Sequence, residues 1–346
     1  MTKFFGYVGT YTKEESEGVY QFTLDTEKHE ITGVKLAATL DNPTYLTVSN
    51  DKKNLYAVSK EGEKGGVTAF TISPESGELT KLNSQASEGA PPCHVSVNRN
   101  RTQVVTANYH TTKIESYLTN PDGSLNPATS VLEHQGSGPH KRQDKPHMHF
   151  AGFTPDERYV IAVDLGSDRV YTYSVDKGKL EEVQVFETKP GSGPRHIVFH
   201  PNGKFAYVMT ELSSEVIALH YNEEDGSFRA QQYISAIPED FEGENDGSAI
   251  HISSDGKFVY AGNRGHNTIA VFEVNQQSGQ LGLVEWTSTE GNWPRDFVLD
   301  PTEEFLIATN QKSNSMTLFS RDKSTGKLAL LQSGVKVPEP VCVKFL

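Results

Sequence analysis

Apolar and polar residues alternate along nearly the whole chain with the period of two that marks β-strands, and no stretch sustains a helical period. Six copies of one unit can be superposed. Each is an apolar strand, a tight polar turn and a second apolar strand. They read TYLTVSNDKKNLYAVS from Thr44, CHVSVNRNRTQVVTAN from Cys93, HFAGFTPDERYVIAVD from His149, RHIVFHPNGKFAYVMTEL from Arg195, SAIHISSDGKFVYAGN from Ser248 and RDFVLDPTEEFLIATN from Arg295. The apolar anchors Val48, Val97, Phe153, Phe199, Ile252 and Leu299 fall about 46 to 56 residues apart, the length of a four-stranded propeller blade. Each copy runs on into a second hairpin, such as GVTAFTI, RVYTYSV or TIAVFEV, followed by a turn such as Ser76-Gly77-Glu78 or Asp225-Gly226-Ser227. Glycine at a fixed place in these loops supplies the positive φ that short hairpins need.

The two ends complete the pattern. VCVKFL reads as the first strand of a unit, with Phe345 at the anchor, and KFFGYVGTYT reads as a second strand with no first strand before it. Joined, they make a seventh blade and leave no open sheet edge. The pattern predicts an all-β, seven-bladed β-propeller of four-stranded antiparallel blades, a single domain over residues 1–346, its ring closed by N- and C-terminal strands in one shared blade.

Composition narrows the partners. The net charge of −13 argues against nucleic acid and against an anionic membrane surface. The N-terminus lacks a secretory leader, and no apolar run nears the roughly 20 residues that span a bilayer. A cytoplasmic protein is expected, with Cys93 and Cys342 reduced and used in packing. A homo-oligomer is compatible with the sequence, and nothing in it fixes that state.

Aligned copies turn the channel mouth into two columns of residues. Where the first strand begins stand Thr44, Cys93, His149, Arg195, Ser248, Arg295 and Val341. Where the second strand runs out stand Lys60, Tyr109, Leu165, Glu211, Arg264 and Gln311. Neighbouring positions add His147, His196, Asp164, Asn108, Asn263, His266, Asn310 and Asp296. A repeat that only had to fold has no need of so many charges there. Arginines bind anionic oxygen, and a glutamate or histidine beside them can move a proton. Two long loops, residues 134–146 with Lys141, Arg142 and Lys145, and residues 237–248, lie on the same face.

Blander readings stand beside this one. Arg195 and Glu211 could be a structural ion pair, and the basic loop a solvated one. His147 and His149 could be metal ligands, yet no third ligand has matching spacing. No nucleophile elbow or glycine-rich phosphate loop occurs. Neither metal nor cofactor is expected, and His196 and Asp296 have no assigned role.

With these residues in hand, KPHMHFAGFTPDERYVIAVDLGSDRVYTY, GPRHIVFHPNGKFAYVMTELSSEV and the opening YVGTYT resemble the seven-bladed propeller lactonases over essentially the whole chain. That family includes bacterial propeller-type 6-phosphogluconolactonases and the fungal enzymes that lactonise 3-carboxy-cis,cis-muconate. The resemblance implies a site of His149 (or His147), Arg195, Glu211 and Arg264, the residues the columns select. It implies a carboxylic-ester hydrolase of the pentose phosphate pathway that opens 6-phosphogluconolactone, a small anionic sugar lactone, to 6-phosphogluconate without metal. A carboxymuconate-type cycloisomerase or a non-catalytic binding platform are the alternatives. In the expected mechanism Glu211 is the general base and Arg195 with His149 polarises the carbonyl, with the swapped assignment, His149 as base, equally open. Arg264, Arg295, His147, Tyr109, Asn263, Lys141 and Arg142 hold the rest of the substrate and its phosphate.

Overall fold

The computed structural model describes residues 2 to 346. Among these residues, strands form seven four-stranded antiparallel sheets, and the one short 3-10 turn is Gln311–Ser313. The sheets follow one another around an axis lined by the first strand of each. Blade 1 is assembled from both ends of the chain: Pro340–Phe345 lies innermost, followed outward by Lys3–Thr10, Gly18–Asp25 and Glu30–Thr39. Gly6 faces Phe345 and Val8 faces Val343 across the closing pair. Blades 2 to 7 occupy residues 46–88, 94–133, 148–187, 194–235, 246–288 and 294–336. The expected seven-bladed propeller and its shared closing blade are both present.

Every blade buries both faces of its middle strands, so the apolar clusters lie between neighbouring blades. Tyr207, Met209 and Val216 of blade 5 pack on Val259, Ala270 and Phe272 of blade 6. Hydrogen bonds repeat at these seams. A buried tyrosine of one blade donates to the turn glycine of the next: Tyr7 to Gly77 O at 2.6 Å, and Tyr56 to Gly123 O, Tyr207 to Gly279 O and Tyr260 to Gly326 O at 2.9 Å each. The glycine is required twice over at Gly279. Its φ is +73°, and an added Cβ would sit 2.5 Å from the Phe205 ring. Such hydrogen bonds are worth about 1 kcal/mol each, so they fix the angular order of blades already held by apolar burial.

The innermost strands are not regular. The ladder slips between Met148 and Phe150, between Pro194 and His196, and between Pro294 and Asp296. His149, Arg195 and Arg295 are therefore each the extra residue of a β-bulge. A bulge bends its strand and re-aims the side chain it carries, here at the end of the channel.

Candidate active site

A cavity of about 620 Å³ opens at that end of the channel. Residues from every blade line it, among them Lys13, Lys60, Tyr109, His149, Glu211, Arg264 and Arg295, together with Arg142 from the loop before blade 4. Below it, on the axis, lies a smaller cavity of about 40 Å³ lined by Tyr45, Arg195 and His196. Cys93, His149 and Arg295 line both, so they mark the floor of the larger space.

Glu211 organises the wall on one side. Its carboxylate meets Arg195 Nε at 3.0 Å and Arg264 Nη2 at 2.6 Å, and also pairs with Arg142. Arg142 holds Asp246 as well, at 2.9 Å. Arg195 donates to Ser248 O at 2.8 Å and Arg264 to Gly247 O at 2.6 Å. Gly247 makes this closeness possible, because a Cβ there would lie 2.1 Å from Thr210 O. Burial alone would push the Glu211 carboxyl up, but Arg264, Arg195, His149 and Arg142 overcome it and hold it far below the usual carboxylate range. A carboxylate so stabilised is a poor proton acceptor.

His149 is the reverse case. Burial first, and Arg195 next, push its imidazole well below the ordinary histidine value, so the ring is neutral near pH 7. Its Nδ1 is buried with no hydrogen-bond partner among the described residues. The ring lines the cavity floor in its neutral form, so it can accept a proton.

Of the residues expected at the mouth, His149, Glu211, Arg264, Arg295, Tyr109 and Arg142 line the larger cavity. Arg195 lies one layer deeper, 3% exposed, holding Glu211 from below. Asn263, His147 and Lys141 are not lining residues. Asn263 is the penultimate residue of its strand, so its side chain points into the blade and donates to Ala236 O at 2.7 Å. Asn310 does the same to Thr289 O. His147 stacks under Tyr109, centroids 4.1 Å apart, with ring nitrogens on Tyr109 O and Asp144. It props Tyr109 from behind. Lys141 is exposed.

Two unassigned residues acquire structural surroundings. Asp296 accepts from Lys344 Nζ at 2.9 Å and Val343 N at 3.1 Å, tying the closing strand to blade 7. His196 accepts from Arg195 Nη1 at 3.4 Å and sits 5.3 Å from the His149 ring and 5.2 Å from the His94 ring. Sequence reasoning passed over Lys13, Lys60 and Asp246. Lys60 stood in the second column, and the unusually long connection before blade 6 contained Asp246. Lys13 follows the strand that has no aligned first strand, so superposing repeats could not expose it. Among the described residues no group of three His, Cys, Asp or Glu side chains is arranged to hold a metal.

Known proteins place this chain. The family model described as "Lactonase, 7-bladed beta-propeller" matches residues 5–345. A Bacillus subtilis protein named 6-phosphogluconolactonase is 57% identical over 346 residues, covering 100% of this chain and 99% of the relative. A Lactobacillus plantarum structure superposes with TM-score 0.96 at 44% identity, over 99% of both chains. A Pseudomonas aeruginosa periplasmic gluconolactonase does so with TM-score 0.94 at 33% identity, also over 99% of both. The chain belongs to the seven-bladed β-propeller lactonase family.

Proposed function

We propose that this protein hydrolyses 6-phosphogluconolactone to 6-phosphogluconate, the lactone-opening step of the pentose phosphate pathway. The observation that carries this reading is the full-length, 57% identity to a protein named 6-phosphogluconolactonase. The cavity chemistry agrees with it. Four guanidinium groups, of Arg142, Arg195, Arg264 and Arg295, face only two carboxylates, Glu211 and Asp246, so the site favours an anion.

The chemistry needs a base and an oxyanion site. The lactone carbonyl lies on the cavity floor with its oxygen toward Arg295 and Arg264. A water attacks C1 while the His149 imidazole takes its proton, and the carbonyl electrons move onto the oxygen held by the two arginines. Collapse expels the ring oxygen, which receives the proton from His149 and becomes the product hydroxyl. Glu211 keeps Arg264 and Arg195 in place and stabilises the transient imidazolium. Of the two assignments left open by the sequence, this reading takes His149 as the base. A cycloisomerisation uses similar groups, but no observation here favours it.

Purified protein with freshly made 6-phosphogluconolactone, followed through a coupled dehydrogenase, should exceed the spontaneous rate. His149→Asn should lower kcat about 10²- to 10⁴-fold with the fold retained. Near wild-type turnover in that variant would remove His149 from the mechanism.

A further inference from the structure

Resting on the lactonase reading, we propose that the opposite rim of the cavity, on blades 1 and 2, is a phosphate subsite whose cationic groups are Lys60 and Lys13. A 6-phosphorylated δ-lactone carries its phosphate on the exocyclic C6, attached to C5 on the far side of the ring oxygen from the carbonyl carbon, so the phosphate stands several bonds away from C1. With the carbonyl on the floor beside His149, the phosphate must reach one wall or the other. The arginine wall is charge-compensated by Glu211 and Asp246, and what Arg264 has left to offer is assigned to the carbonyl oxygen. Arg142, Arg195 and Arg264 all spend donors on Glu211, and further donors on Asp246, Ser248 O or Gly247 O.

The other wall is not compensated in this way. Lys13 and Lys60 line the cavity, and neither pairs with a carboxylate among the described residues. Lys60 is half-buried at the end of its strand, its backbone N–H fixed on Asp41 O at 2.9 Å. Lys13 lies with Nζ 4.3 Å from the centroid of Tyr11, and the Arg295 guanidinium lies 5.5 Å from the same ring. Tyr11 thus bridges the rim cation to the floor. The field of Lys13 reaches across the mouth: His110 of blade 3 is pushed below its ordinary value by burial, then by Lys145, His147 and Lys13. Lys145 does not compete for the phosphate, since its Nζ donates to His110 O at 2.7 Å. Glu63 is the one carboxylate on this rim; it is exposed and unpaired among the described residues. A dianionic phosphate is the ligand that unpaired ammonium groups at a concave rim fit best.

The decisive quantity is the ratio of kcat/KM on 6-phosphogluconolactone to that on glucono-δ-lactone. Lys60→Ala and Lys13→Ala should each lower this ratio about 10- to 100-fold, the worth of one charge-assisted contact, and Lys60→Arg should restore most of it. An unchanged ratio in both alanine variants, with wild-type protein active on the phosphorylated lactone, would overturn the subsite and leave the lactonase reading intact. Wild-type protein inactive on both lactones would overturn the lactonase reading. Calorimetry then judges the subsite separately: wild-type protein should bind 6-phosphogluconate more tightly than gluconate, and Lys60→Ala should erase that preference. Equal binding of the two acids by wild-type protein would sink the subsite.

Discussion

The two walls of the cavity solve opposite problems. On blades 4 to 6, cations and carboxylates are buried and interlocked: Glu211, Arg195 and Arg264 are each 3% exposed. On blades 1 and 2, Lys13, Lys60 and Glu63 share no ion pair among the described residues, and Lys13 and Glu63 are exposed. A buried charge must be paired or it destabilises the fold, so the first wall is rigid and its field is fixed before substrate arrives. Rim charges stay hydrated and can exchange water for a ligand at little cost. On the proposed reading, preorganisation sits on one side and recognition on the other.

Removing the central carboxylate tests the rigid wall most severely. Glu211→Gln would leave two buried guanidiniums without their counter-charge, and a broken buried pair typically costs about 3–5 kcal/mol. Turnover should fall at least 10³-fold and the urea midpoint should drop clearly. A variant with wild-type stability would mean that the wall is not interlocked.

Acid should come next in effect. Burial depresses His149 and His196 well below the ordinary value, and pushes His94 down to about 3. The unfolded chain therefore binds more protons than the native state below pH 6.5. Stability is full above that value and is lost as pH falls from it toward the depressed native values, by up to about 1.4 kcal/mol per pH unit for each histidine. Urea midpoints measured from pH 7 to pH 4 should decline steadily. A flat profile would show that the three rings are not held neutral.

The rim should respond more mildly. Raising ionic strength from 0.05 to 0.5 M should increase KM for the phosphorylated lactone several-fold and leave glucono-δ-lactone almost unaffected, because exposed charges are screened over about a Debye length. Equal responses would erase the distinction between the walls. The smallest effect belongs to Glu63→Gln, which removes a repulsive rim charge and should lower KM for the phosphorylated lactone by roughly twofold.

Much of this molecule is legible in its sequence, for identifiable reasons. Seven blades could be counted because each repeats the same alternation, and His149, Glu211, Arg264 and Arg295 stood out because repeats that agree elsewhere diverge there. Three things were not legible. Asn263 was drawn into the site by adjacency, although side chains one position apart on a strand face opposite ways. The bulges that place His149, Arg195 and Arg295 leave no local signature, since they depend on the partner strand. That three arginines converge on the Glu211 carboxylate, which bears on whether Glu211 or His149 is the base, depends on contacts between blades that no single repeat reveals.

The closing blade also sets an order of events during synthesis. Blades 2 to 7 are each contiguous in sequence, so each can form on its predecessor as the chain emerges from the ribosome. Blade 1 cannot. The inner edge of Lys3–Thr10 stays unpaired until Pro340–Phe345, made long after it, arrives to cover it. Through most of translation the nascent chain therefore presents an open apolar strand edge, the surface on which chains aggregate. That strand also carries Val341 to the channel floor, and its docking completes the ring around the cavity. Completion of the site and protection of the edge are one event.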